Sequence, residues 1–141
     1  MALGTFGLSQ NNGAADLSIT TAGTVFCTPI TGLAGMQALT FWLKFAYGSG
    51  GTTVKAYLQT SIDQGNTWID IACVALAQTS KTVLLNLSGL TPKTTQVTPT
   101  DGALADDTAV DGILGDRMRL KVVSVGTYAG NTLLAARMVA R

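Results

Sequence analysis

The chain has no histidine and no glutamate, so every one of its eight acids is an aspartate. Without histidine, neither a Ser–His nor a Cys–His nucleophilic pair can be assembled, and a His-bound zinc site is excluded. Acid–base work would fall to aspartates such as Asp63 and Asp70, but a turn residue beside a strand residue offers no evident cleft. Cysteine is scarce too. Cys27 and Cys73 stand too far apart for a C-x-x-C metal site and read as two small buried hydrophobes, with a disulfide as the alternative. No G-x-x-x-x-G-K-[ST] segment occurs, which removes a P-loop. No apolar run approaches the roughly 18 residues of a membrane-spanning helix. The opening Met1–Thr5 lacks the basic and apolar regions of a signal peptide, so synthesis and residence in a cytoplasm are expected. These absences predict a protein that is not an enzyme and uses no cofactor and no metal.

Charge is also sparse, at 12% of residues with a net charge of +1. The nine cations are spread from Lys44 to Arg141 with no basic stripe, so neither nucleic acid nor an anionic membrane is an expected partner. What the chain does have is 47% hydrophobic residues, sixteen glycines and abundant threonine, a composition that leans towards β-structure. Its 141 residues suit one domain with a sizeable core.

Period-2 alternation recurs along most of that length. The clearest case runs from Leu39 to Tyr47, with Leu39, Phe41, Leu43, Phe45 and Tyr47 on one face and Thr40, Trp42, Lys44 and Ala46 on the other. Trp42 on the less apolar face reads as a side chain under a loop or as a partner contact. Further strands are expected near 17–20, 24–30, 54–59, 68–76, 83–87, 117–125 and 132–139. Ile69, Ile71 and Cys73 are expected to share a face. Residues 91–116 form the longest irregular stretch. The pattern predicts an all-β protein, a single β-sandwich of about eight antiparallel strands with jelly-roll or immunoglobulin-like connectivity, over residues 17–141. Residues 1–16 are expected to be an extended N-terminal arm or a loosely held first strand.

Between two of these strands lies Ser61-Ile62-Asp63-Gln64-Gly65-Asn66-Thr67-Trp68, an S-x-D-x-G-x-T-W pattern known as the Asp box. Asp63 can accept hydrogen bonds from the turn backbone, Gly65 can take a positive φ, and Thr67 and Trp68 begin the return strand. The pattern resembles the boxes repeated in sialidases and related propellers, where they lie away from the catalytic centre. One box in a short chain is read as a structural hairpin. A second cluster, Asp101, Asp106, Asp107, Asp111 and Asp116, could hold calcium in principle, but its spacing fits no EF-hand. It is read as a solvated or salt-bridging loop facing Arg117, Arg119 or a partner.

The segment Asp106–Thr132, with its GDRMRLK strand and GTYAGNT turn, together with TSIDQGNTWIDIA, resembles small virion structural proteins of tailed bacteriophages. That resemblance implies a capsid decoration (cement) protein that binds the outside of the shell between capsomers, often as a trimer over threefold positions. Its partners would be the major capsid protein or other virion proteins, and its location the virion surface. On this reading the partner contacts are Leu3, Phe6 and Leu8 of the arm, Trp42, and Asp106, Asp107 and Asp111 of the acidic loop. No small-molecule ligand is expected. A tail or head–tail connector component is the nearest alternative. A carbohydrate-binding module is another, with Trp42, Tyr47, Tyr57, Trp68 and Tyr128 as a stacking platform.

Overall fold

The computed structural model describes residues 4–11 and 13–141; Leu3, one of the expected partner contacts, lies outside them. In chain order the strands are β1 (Gly4–Gly7), β2 (Leu17–Ser18), β3 (Gly23–Phe26), β4 (Ala38–Ala46), β5 (Ser49–Gly50) and β6 (Thr53–Ser61). They continue with β7 (Ile69–Leu76), β8 (Lys81–Ser88), β9 (Arg117–Val125), β10 (Tyr128–Ala129) and β11 (Leu133–Ala140). Each region of alternation becomes a strand, and β1, β5 and β10 are short additions.

All pairings are antiparallel. A five-stranded sheet runs β1-β11-β4-β8, with β2 also on β11, a four-stranded sheet runs β3-β9-β6-β7, and β10 pairs with β5 in a separate two-stranded sheet. Because β1 and β2 lie end to end along the same side of β11, they act as one interrupted strand. Numbering the eight principal strands in sequence then gives sheet orders 1-8-3-6 and 2-7-4-5. Every connection except the β6–β7 hairpin therefore crosses from one sheet to the other. This is jelly-roll connectivity; immunoglobulin order would keep several consecutive pairs within one sheet.

The core is the space between the sheets. From the first sheet come Leu39, Phe41, Leu43 and Phe45 of β4 and Leu134, Ala136, Met138 and Ala140 of β11. They meet Val54, Ala56 and Leu58 of β6 and Met118, Leu120 and Val122 of β9. Strict alternation on these long strands is what lets one chain line a common interior from both sides. At one end Tyr128 closes the sandwich. Its ring stands edge-on to Phe45 and Tyr47, with centroids 6.1 Å away in each case, and its hydroxyl donates to the Ala77 carbonyl at 2.7 Å.

Two expectations are corrected. In β7 a bulge shifts the register between Leu58 and Gln59 of the partner strand, so Ile71 joins Ala72 and Val74 in the core. Cys73 instead pairs with Tyr57 across the other face, and the expected Ile69–Ile71–Cys73 face is broken. An extra residue in one strand inverts the alternation beyond it. The second correction concerns Leu8 as a partner contact. Of the two forms expected for residues 1–16, the segment takes that of a first strand from Gly4 onward, hydrogen-bonded to β11 as the outer strand of its sheet. Leu8 is fully buried in the protein's own core and Phe6 packs against that core, so Leu8 is not available to a partner. Phe6 and Leu8 gain more by covering the protein's own sheet than by staying in water.

Leu120 is enclosed by both sheets, and Leu120→Ala is expected to lower stability by about 3 kcal/mol through lost burial and a cavity. Leu84→Ala, at a position 67% exposed, should change it by less than about 0.5 kcal/mol. Urea unfolding midpoints of the two variants check the contrast.

Candidate functional site

After β8 the chain does not enter β9 directly. Within the connection 89–116, residues 100–110 fold back over part of the outer face of the four-stranded sheet and along the free edge of β7. The Asp70 N–H donates to the Thr100 carbonyl at 2.8 Å, Cys73 N–H to Thr108 at 2.9 Å, and Val110 N–H to Ile71 at 2.8 Å. The edge of β7 is thereby capped by the protein's own loop, which satisfies backbone groups that would otherwise invite another strand.

One side chain anchors that loop. Asp70 is 2% exposed, yet its carboxylate meets five donors. Gln59 Nε2 lies 2.8 Å away and Thr100 Oγ1 2.9 Å away. The consecutive N–H groups of Gly102, Ala103 and Leu104 converge on Oδ2 at 2.7, 3.0 and 3.2 Å. Successive backbone amides wrapped around one anion form a nest, here built around a residue of the same chain. Gln59 also reaches Asp101 at 2.7 Å, and Asp101 pairs with Lys121 at 3.1 Å.

The Asp-box hairpin borders the same face. Asp63 Oδ1 accepts from the Thr67 N–H at 2.8 Å and from Ser61 Oγ at 3.0 Å, while Oδ2 accepts from Thr67 Oγ1 at 2.6 Å. Gly65 donates its N–H to Ser61 Oγ and holds φ at +88°, a value that favours glycine. The hairpin is tied down further by Arg117, whose Nη1 donates to the Gln64 carbonyl at 3.0 Å. Gly115 approaches so closely that a Cβ there would run into the Ser61 carbonyl oxygen.

These elements place Trp68 opposite Phe26 of the edge strand β3, with Arg119 of β9 against both rings. The guanidinium carbon is 4.5 Å from the Phe26 centroid and 4.4 Å from that of Trp68, at cation–π distance. Arg119 Nε donates to Gln59 Oε1 at 2.8 Å. Beside this cluster opens a cleft of about 640 Å³ lined by Phe26, Trp68, Asn66, Thr100, Asp101 and Arg119. The Asp-box pattern marks Trp68 as part of the hairpin, while Phe26 and Arg119 become its neighbours only in the fold. Nothing in local spacing joins residues 26, 68 and 119.

The other expected contact residues are dispersed. Asp106 pairs with Lys55 at 2.9 Å and Asp107 with Lys81 at 3.4 Å. Asp111 accepts from the Ser88 N–H at 2.7 Å and from Thr91 Oγ1 at 2.9 Å. The acidic loop is thus pinned to its own sheets, and its cationic partners are mainly lysines from β6, β8 and β9. Among the described residues no group of three or more metal-ligating side chains is gathered. The five aromatic residues of the stacking-platform reading do not share a surface. Tyr57 and Tyr128 are buried, and Trp42 lies on the other sheet from Trp68. Cys27 and Cys73 are free and buried, with burial pushing the Cys27 thiol up to about 11. No protein-family model matches the chain, and neither does any curated protein.

Asp70→Ala is expected to cost about 2–4 kcal/mol, because it strands donors that were buried to meet a charge. The loop should loosen with it, so Cys73 should react with a thiol reagent faster under native conditions while Cys27 stays protected. Urea midpoints and timed thiol labelling read both effects.

Four carboxyl groups are held below the usual range. Asp63 is lowered by the Thr67 hydroxyl and N–H, Asp107 by the Ala75 N–H, and Asp111 by the Ser88 N–H and Thr91 hydroxyl. At Asp101, burial pushes upward but Gln59 and Lys121 outweigh it. A lowered folded-state pKa contributes stability that is fully present above the unfolded value, about 3.9, and is lost as pH falls through the folded value. Melting temperature should therefore hold from neutral pH to about pH 4 and drop below it. Asp63→Asn should flatten the drop, as thermal melts at stepped pH would record.

Proposed function

We propose that the chain is a non-enzymatic structural protein of a tailed-phage particle, of the capsid decoration type, docking through the outer face of its five-stranded sheet. The observation that carries this reading is the difference between the two outer faces. One is partly covered by loop residues 100–110, which bond to Gln59, Asp70, Lys55 and Lys121. The other presents the cross-strand row Arg137–Trp42–Leu84, flanked by Thr40 with Val139 and by Lys44 with Ala135. Trp42 is half-buried, its indole N–H makes no hydrogen bond among the described residues, and Leu84 is 67% exposed. An aromatic and a leucine side by side on a weakly charged, rigid sheet have the make-up of an interface centre.

The jelly roll is compatible with this role, since it recurs in viral capsid domains, although a fold by itself assigns no function. The contact surface proposed here keeps Trp42 but replaces the arm and acidic loop with Leu84 and its neighbours, because the arm and loop are spent within the subunit. Binding only to the assembled shell would stabilise that state by mass action. A trimer places three such faces around a threefold position; a tail or connector role would call for a larger ring.

Mixed with expanded shells of the particle that carries it, the wild-type protein should co-sediment to a saturating stoichiometry. Leu84→Asp combined with Trp42→Ser should remain folded by circular dichroism and stay in the supernatant. Light scattering should give a trimer. A ring of six or more copies would move the assignment to the tail, and wild-type protein that stays in the supernatant would overturn the decoration reading.

A further inference from the structure

On the outer face of the four-stranded sheet, three cations each have an aspartate: Lys55 with Asp106, Arg117 with Asp116, and Lys121 with Asp101. Arg119 sits among them and has none within ion-pair distance among the described residues. It packs against Phe26 and Trp68 instead, and only its Nε has a protein acceptor. Both Nη groups make no hydrogen bond within the described protein, and the side chain lines the cleft. From this arrangement we infer that the Arg119 cleft is a binding site for a carboxylate ligand.

A guanidinium offers its Nη edge as two parallel donors that match the two oxygens of a carboxylate. The rings and Gln59 hold the plane in place, so little side-chain freedom is lost when a ligand docks. The two carboxylates that act on Arg119 are both already engaged, Asp101 by Lys121 and Gln59 and Asp70 by its five donors, which lowers their repulsion of an incoming anion. Asn66 and Thr100 supply a polar rim, and the exposed ring of Phe26, 51% accessible, supplies apolar contact for whatever carries the acid. The carboxylate could come from an acidic side chain of a polypeptide or from an acidic sugar. This site lies on the sheet opposite Trp42 and stands or falls independently of the docking face.

The test is an NMR titration that follows the Arg119 Nε–H and Trp68 indole signals. The probes are a capped peptide with one central glutamate, its glutamine analogue, glucuronate and glucose. Saturable shifts with an acidic probe and none with its neutral analogue are expected, and the acid that binds more tightly identifies the source. Arg119→Lys, which keeps the charge but loses the paired donors, should weaken binding about tenfold. Phe26→Ala alters an exposed side chain, so it tests the site without threatening the core, and should also weaken binding. Equal shifts with acid and neutral probes, no saturable shift with either acid, or unchanged affinity in Arg119→Lys would overturn the assignment.

Discussion

Taking a carboxylate out of water costs several kcal/mol unless donors meet its oxygens. Asp70 is buried, and the donors that meet it come from a distant stretch of chain, residues 100–104. The loop is consequently as necessary to the aspartate as the aspartate is to the loop. Once it is seated, Asp101 comes within reach of Gln59 and Lys121, and Gln59 can orient Arg119. Residues 106–110 then follow the edge of β7. The organisation of one whole face of the sandwich descends from this single anchored charge.

The two sheets consequently present themselves differently. The four-stranded sheet wears a layer of loop in which aspartates and cations neutralise one another locally, leaving little long-range field. Among the described residues, the five-stranded sheet has no comparable cover over Leu84, which is 67% exposed. A jelly roll brings this about naturally, because its connections cross between sheets at the ends and leave the broad faces to be covered, or left bare, by insertions. The long β8–β9 connection covers one face only.

Low charge content gives each ionic group a visible role. Most of the aspartates either close a turn, as Asp63 does, or pin a strand to the loop, as Asp107 and Asp111 do. On β9, Arg117 and Lys121 each meet an aspartate, whereas Arg119 between them meets none among the described residues. Arg119 is held by aromatic faces rather than by an acid, which leaves both Nη groups without a hydrogen bond among the described residues.

Much of the architecture was legible in the residues themselves. Alternation marks β4, β6, β9 and β11 because each buries one side chain in two against the facing sheet, and the Asp box encodes its hairpin through contacts only two to four residues apart. Other features depended on neighbours distant in the chain. The bulge that sends Ile71 inward and Cys73 outward is a matter of pairing with β6, and the burial of Leu8 requires β11, which comes last. The choice of jelly roll over immunoglobulin order lies in which strands pair, and local pattern is blind to that. Likewise the cleft joins residues 26, 68, 101 and 119, brought together only when β3 docks on β9 and the loop closes over Asp70. Local hydrophobic period and turn chemistry determined the strands and the hairpin by short-range physics; the tertiary fold alone decided which face the loop crosses and that Arg119 meets two aromatic rings rather than an acid, because both follow from long-range packing.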